Sequence, residues 1–340
     1  MQKALILGLG GIGQRHLRNI RTIYPNIEIA AVRERNRTSE IDNNLKEEKK
    51  INILEKYNIQ TINHDAIEEY APSFAVVCNP SSMHFSATKT MLNLRIPTFI
   101  EKPIATSMNE LDELITLEKQ MNVITMVGYQ LHFHPCVIKA KEWLKNKRVG
   151  KIISAEVSTN SYLPDWHPYE DFQELYAAKR SLGGGVILTE IHEMDLITNI
   201  FGSLSNISAI GGNLSSYRLD SEDTISILAV SGSSDNKFPI TFSLSFMRKP
   251  LSRSICIYGE KGMLKLDLHN NETFLVLNNE KTDVYSVDDF DRNTLFIKEI
   301  EHFFDSIKKK KETLTSIAKT QEGLRSALNI REIYLDINNV

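Results

Sequence analysis

The chain has 340 residues, 41% hydrophobic and 24% charged, the balance of a folded globular protein with roughly two domains. Its net charge of −3 gives no argument for nucleic acid or an anionic membrane as partner, and no apolar stretch approaches a bilayer span. The three cysteines, Cys78, Cys136 and Cys256, are odd in number and far apart, which argues against a disulfide framework and leaves no metal-ligand spacing. No charged leader with an apolar signal segment opens the chain, so a cytoplasmic protein is expected.

Lys3–Leu7 reads as a short buried strand, and the helix beginning at Gln14 follows a glycine turn, Gly8-Leu9-Gly10-Gly11-Ile12-Gly13. Strand, glycine turn and helix in this order are what a dinucleotide fingerprint requires. Gly8 permits the tight turn, Gly10 lets backbone approach a pyrophosphate, and Gly13 lets helix pack on strand. The helix start, with Gly11 and Ile12, offers unpaired N–H groups to the phosphates. Ile27–Val32 reads as a second strand, and Glu34 lies 21 residues beyond Gly13, where a carboxylate can accept from the ribose hydroxyls of NAD. Arg33 and Arg35 flank it and could instead pair with a 2′-phosphate, so NAD is favoured and NADP stays open.

Residues 38–58 read as helical and highly charged, with Lys46–Lys50 facing solvent. Strands are then expected at Phe74–Cys78, Pro97–Ile100 and Val123–Val127, with helices to about Leu94 and from Ser107 to about Gln120. Alternation of this kind predicts a parallel sheet covered on both faces, with ligands bound beyond the carboxyl ends of its strands. The glycine turn, Asn79-Pro80 with His84, Glu101-Lys102-Pro103 and Gly128-Tyr129 then share one rim.

These residues together resemble the Gfo/Idh/MocA oxidoreductases, the relatives of glucose–fructose oxidoreductase and inositol dehydrogenase. The glycine motif is common to many folds; Glu-Lys-Pro directly after a strand is far more specific. The resemblance implies cofactor contacts from Asn79, Pro80, His84, Glu101 and Lys102. It places Lys102 between nicotinamide and substrate, with Glu101 and Pro103 shaping the turn, often through a cis Lys-Pro bond. Chemistry supports Lys102 separately. Alcohol oxidation removes a hydride and a proton, and a partly desolvated lysine suits proton exchange and stabilises alkoxide charge.

Tyr129-Gln130-Leu131-His132-Phe133 resembles the family segment leading into a substrate domain, with Gln130 and His132 where Asn and Arg are usual. Pro135 suits the first turn of a helix running to about Asn146. Lys151–Asn160 alternates as a strand. Tyr162–Tyr176 is rich in aromatics, and Trp166 offers a face for the C–H side of a sugar; a purely structural loop is the alternative. Gly183-Gly184-Gly185 opens an apparent single helix, Val186–Phe201, on which His192 and Asp195 share a face. Asp195 can orient His192, and His192 can exchange a proton with a hydroxyl. The glycines, His192 and Asp195 resemble the second family signature, although Leu188 stands where an Asp is frequent. From Asn206 the chain is strand-rich, and Phe296–Lys311 and Ser316–Ile337 read as closing helices.

The expected architecture is α/β: a Rossmann-type parallel-sheet domain at 1–128, then an α+β domain at 129–340 with a large, mainly antiparallel open sheet. The resemblance implies a homodimer or homotetramer through that sheet. The expected activity is hydride transfer between NAD(P) and a secondary hydroxyl or ketone of a sugar, sugar nucleotide or cyclitol, in a setting such as bacterial surface-sugar synthesis. Lys102, His192 and Asp195 are the expected catalytic residues, and these three with Tyr129 and Trp166 the substrate contacts. The alternatives are reduction of another carbonyl or imine, as in biliverdin reductase relatives, and a non-catalytic NAD(P)-binding redox sensor.

Overall fold

The structure is a computed structural model that describes residues 2–33 and 37–338. β1 (Lys3–Leu7) runs into the glycine turn and α1 (Gly11–Ile23), and β2 (Glu28–Val32) pairs in parallel with β1. A hairpin of β3 (Ser39–Ile41) and β4 (Glu47–Asn52) follows, then α2 (Ile53–Lys56), β5 (Ile59–Thr61) and α3 (Ile67–Tyr70). Next come β6 (Phe74–Val77), α4 (His84–Asn93), β7 (Thr98–Ile100), α5 (Met108–Met121) and β8 (Thr125–Val127). The six-stranded sheet has the order β5-β2-β1-β6-β7-β8, with every pairing parallel. Leu5, Leu7, Val77 and Ile100 fill one face, and Ile6, Phe74, Val76 and Phe99 the other, as a doubly covered sheet demands. The strand order reverses between β1 and β6, so the loops after them open a crevice at that switch point.

The hairpin corrects the expected helix over 38–58. Lys and Glu favour helices, but the Asp42 carboxylate accepts from the N–H groups of Asn44 and Lys46, both at 2.8 Å, and closes a turn. The Gln14 side chain then binds the hairpin to α1, donating to the Ser39 carbonyl and accepting from Ile41 N–H at 2.6 Å. Lys46 does face solvent just before β4, and Glu48, Lys49 and Lys50 do so on the strand instead of a helix.

The second half begins with α6 (Pro135–Lys145), capped by the His134 side chain, and β9 (Ile152–Tyr162). Short 3₁₀ turns lead to α7 (Val186–Thr189) and α8 (His192–Phe201). Seven strands follow: β10 (Ser205–Gly212), β11 (Thr224–Ser233), β12 (Asn236–Ser245), β13 (Met247–Gly259), β14 (Gly262–Asp267), β15 (Glu272–Leu277) and β16 (Glu280–Ser286). α9 (Asn293–Lys309) and α10 (Ile317–Asn338) close the described chain. The eight-stranded sheet, β10-β11-β12-β9-β13-β14-β15-β16, is antiparallel except where β9 and β12 run parallel. Its inner face buries Val157, Ile227, Phe242 and Leu264 beneath helices that include α6, α8 and α10, while Ile210, Leu228 and Val284 lie exposed on the outer face.

The two halves interlock. α9 returns to the first sheet, where Phe303 and Phe304 pack on Phe74 and Phe99. The segment before α10 then borders β8: Val127 N–H donates to the Thr315 carbonyl at 2.7 Å, and the Thr313 hydroxyl to the Thr125 carbonyl at 2.6 Å. Among the described residues no helix is long and apolar enough to cross a membrane.

Candidate active site

The crevice is cut closely to its backbone. Gly8 has φ +98°, and a Cβ there would stand 2.7 Å from Asn79 N. A Cβ on Gly13 would stand 2.1 Å from the Gly8 carbonyl oxygen, so neither position accepts a side chain. Gly10 caps α1 without a side-chain hydrogen bond, and the space where its Cβ would point is empty to 4 Å. The first N–H groups of α1 thus have no side-chain cap, and the backbone at Gly10 is open to approach, as diphosphate binding needs. Asn79, after β6, has a buried Oδ1 with no partner, an acceptor suited to a ribose hydroxyl. These features fit a dinucleotide. Ile12 packs half-buried beside the turn, and Pro80 opens the 3₁₀ turn Ser81–Met83. Glu34 and Arg35 lie outside the described residues.

Two buried histidines hold the rim in place. His84 spans it, with Nδ1 2.7 Å from the Pro103 carbonyl and Nε2 2.7 Å from the Asn79 carbonyl. With both nitrogens engaged by main chain, it fixes the loops and leaves ligand contact to them. His16 of α1 sits 2.7 Å from Glu101 Oε1. Burial alone would raise the Glu101 carboxyl, but the His16 hydrogen bond and the charges of His16 and Lys102 hold it below the usual carboxylate value. The Lys102–Pro103 bond is cis, and Lys102 Nζ donates to the Thr189 carbonyl at 2.8 Å.

Lys102 reaches Thr189 because the expected helix over 186–201 is two helices. Glu190 (φ −95°, ψ 42°) breaks it after Thr189, and His192 starts the second piece. His192 is buried, with Nε2 3.5 Å from Gln130 Nε2, the Tyr129 ring edge-on at 5.9 Å, and Nδ1 unpartnered. Burial first, then the charges of Lys102, Arg253 and Arg292, push its pKa well below the usual 6.5. It is therefore neutral near pH 7 and able to accept a proton.

Asp195 does not orient His192. Its carboxylate lies 2.5 Å from His132 Nε2, and Lys141 Nζ approaches the other His132 nitrogen at 3.3 Å. The sequence reading therefore missed Gln130 and His132 as the residues that meet His192 and Asp195; their signal was the departure from Asn and Arg in that segment.

Trp166 is not brought to Lys102 or His192 by any contact among the described residues; its ring meets Phe246 at 6.1 Å. The aromatic stretch reaches the cofactor crevice through Tyr169, whose hydroxyl lies 3.1 Å from where a Gly11 Cβ would be. His167 stacks on Tyr169 at 5.2 Å, and the Arg37 guanidinium covers it at 5.3 Å. Behind His192, Arg253 of β13 pairs with Glu190 and, at 2.7 Å, with Glu193. No local motif marked Arg253, because strand pairing across the second sheet brings it there.

Comparison with known proteins agrees with this geometry. Residues 2–129 match the oxidoreductase family with an NAD-binding Rossmann fold, and residues 137–265 match the GFO/IDH/MocA C-terminal domain. A 2,7-anhydro-N-acetylneuraminate hydratase from Mediterraneibacter gnavus is 25% identical over 57% of this chain and 50% of its own length. The match thus spans about half of that relative. A myo-inositol 2-dehydrogenase from Thermotoga maritima is 24% identical over 82% of this chain and 78% of its own. The solved UDP-N-acetylglucosamine 3-dehydrogenase from Acidithiobacillus ferrooxidans superposes with a TM-score of 0.73 at 18% identity, covering 98% of this chain and 97% of that one, and so shares the fold. The nucleotide crevice, the Glu-Lys-Pro turn and the matches across both halves place this chain in the Gfo/Idh/MocA oxidoreductase family, with NAD(P) as its cofactor.

Proposed function

We propose that the protein is an NAD(P)-dependent oxidoreductase acting on a secondary hydroxyl, or the matching ketone, of a sugar, sugar nucleotide or cyclitol. The observation that carries this reading is that Lys102 reaches the broken helix at Thr189, three residues before the buried His192, beside the nucleotide crevice. Residues 1–128 are proposed as the dinucleotide domain, and 129–340 as the substrate and oligomer domain, with α9 returning to the first. The inositol dehydrogenase that this chain resembles in sequence and the sugar-nucleotide dehydrogenase that shares its fold act on substrates of this class. A role in bacterial surface-sugar synthesis and a cytoplasmic setting belong to the same proposal.

The crevice residues Gly8–Gly13 and Asn79 would hold the cofactor, which supplies hydride exchange when bound. The chain's own part is proton handling. His192, uncharged, accepts the hydroxyl proton, while the Lys102 ammonium stabilises alkoxide character on the same oxygen. Gln130 and Tyr129 hold the His192 ring, and the Asp195–His132 pair supports the helix behind it. In reduction the same groups return the proton. The redox-sensor alternative needs the crevice but gives no reason for Lys102 and His192 to converge.

The test is nicotinamide absorbance with NAD and NADP across inositols, free sugars and nucleotide sugars, with Lys102→Ala in parallel. Loss of general acid–base and electrostatic help lowers kcat by roughly 10²–10⁴ while cofactor affinity persists. Undiminished turnover in the variant would overturn the mechanism. Cofactor binding without turnover on the whole panel would favour the sensor.

A further inference from the structure

The break between α7 and α8 has no cause in its own sequence. No glycine or proline stands between Val186 and Phe201, and the apolar spacing there suits one unbroken helix. In such a helix the Thr189 carbonyl would accept from the N–H of Glu193, four residues on. Here it accepts from Lys102 Nζ at 2.8 Å, and Glu190 turns out of the helix with ψ 42°.

What holds the break comes from the second sheet. Arg253 of β13 stands opposite Thr159 of β9, and Ser161, two residues further along β9, shares its face. The Arg253 guanidinium forks: Nη2 pairs with Glu190 Oε2, and Nε with Glu193 Oε1 at 2.7 Å. The Ser161 hydroxyl donates to Glu190 Oε1 at 3.1 Å. Glu190 is the residue at the break, Glu193 lies in the first turn of α8, and both are buried. A buried carboxylate is costly without a cation, and the rigid fork of one guanidinium fixes where both must sit. The residues just before these two glutamates are Thr189, which seats Lys102, and His192. One side chain of the second sheet thereby sets both.

We propose that Arg253 is a positioning residue of the active site: through Glu190 and Glu193 it holds the break, so that the Thr189 carbonyl seats Lys102 and His192 opens the next helix. The roles of Lys102 and His192 rest on the oxidoreductase reading; the tie itself does not, and its test needs no turnover. Lysine reactivity reports it. The protein saturated with NAD would be labelled with trace acetic anhydride, and the rate at each lysine read by mass spectrometry. The wild type, Arg253→Gln, Glu190→Ala and the double variant would be compared. Glu190→Ala leaves Arg253 matched by Glu193, so it carries the test if Arg253→Gln fails to fold.

Lys102 should react about tenfold faster in each single variant, as expected when a charged donor loses its hydrogen bond. The double variant should match the singles, since both cut one tie. Lys56 and Lys309, paired with Glu40 and Asp305 on other elements, should keep their rates. A Lys102 rate unchanged in Glu190→Ala would overturn the proposal. So would a rise at Lys56 and Lys309 equal to that at Lys102, the mark of general loosening. On any substrate that the wild type turns over, the variants should lower kcat by about tenfold or more while KM holds. A wild type that turns nothing over counts against the oxidoreductase reading and leaves the labelling result standing. Lys102 labelling unmoved in an active enzyme counts against the positioning role alone.

Discussion

His192 shows how much a single residue owes to what surrounds it. An exposed imidazole would be part-charged near neutrality and a poor proton acceptor just below it. Burial, with Lys102, Arg253 and Arg292 adding their repulsion, favours the neutral ring. A base whose pKa is lowered loses activity only when pH falls through that lowered value. The acid limb of kcat/KM for alcohol oxidation should therefore lie below pH 6.5, with activity level from there to neutrality. A pH–rate profile with its acid midpoint at or above that value would contradict the assignment. Lys102 and His192 were legible in the sequence because each sits in a compact local signature. The partner of Asp195 was not, because pairing with His132 is a long-range choice that three-residue helical spacing cannot reveal. Arg253 and Arg292 belong to no motif, and only the tertiary fold brings their charges onto one ring.

Among the elements, α9 carries the least expected feature. Phe296, Ile300, Phe303 and Phe304 form an apolar face, yet Glu299 lies fully buried among them with neither carboxyl oxygen hydrogen-bonded. Burial first, and the nearby Glu101 second, push its pKa well above the usual 4.5. A carboxyl raised in the folded state contributes stability that is present below the unfolded value and lost as pH rises. Glu299→Leu should thus stabilise the protein by about 1–3 kcal/mol, with a gain that grows from acid to neutral pH. Thermal unfolding of both proteins across that range checks it; equal melting at every pH would show that Glu299 has a partner in solution. The helix itself was readable from its apolar spacing. The β3–β4 hairpin was not, because Lys and Glu composition outweighed an Asp-Asn-Asn turn that only docking through Gln14 makes decisive.

At the scale of the whole molecule, the eight-stranded sheet has one face beneath helices and another open. Ile210, Leu228 and Val284 lie on the open side, and a sheet left in this condition is a surface for a second sheet. The proposed homodimer or homotetramer would cover it. Leu228→Glu should then shift the protein to monomers without loss of helical signal, as read by light scattering behind size exclusion. A wild type already monomeric at micromolar concentration would remove the proposal. The two-part architecture followed from the sequence, since alternating strands and helices gave way to strands near Asn206. That the parts share an element did not, since nothing local in α9 says which sheet it covers.

That shared helix ties the protein's birth to its far end. During synthesis the nucleotide-binding half emerges first, but Phe74 and Phe99 find their cover only when Phe303 and Phe304 leave the ribosome. Until then α1 covers that side of the parallel sheet only in part, the β8 edge lacks its Thr313–Thr315 neighbour, and apolar surface of the nascent chain stays exposed. A fragment cut after residue 128 would inherit that unfinished side as a permanent aggregation surface, so this cofactor-binding half is not a module that can be borrowed on its own.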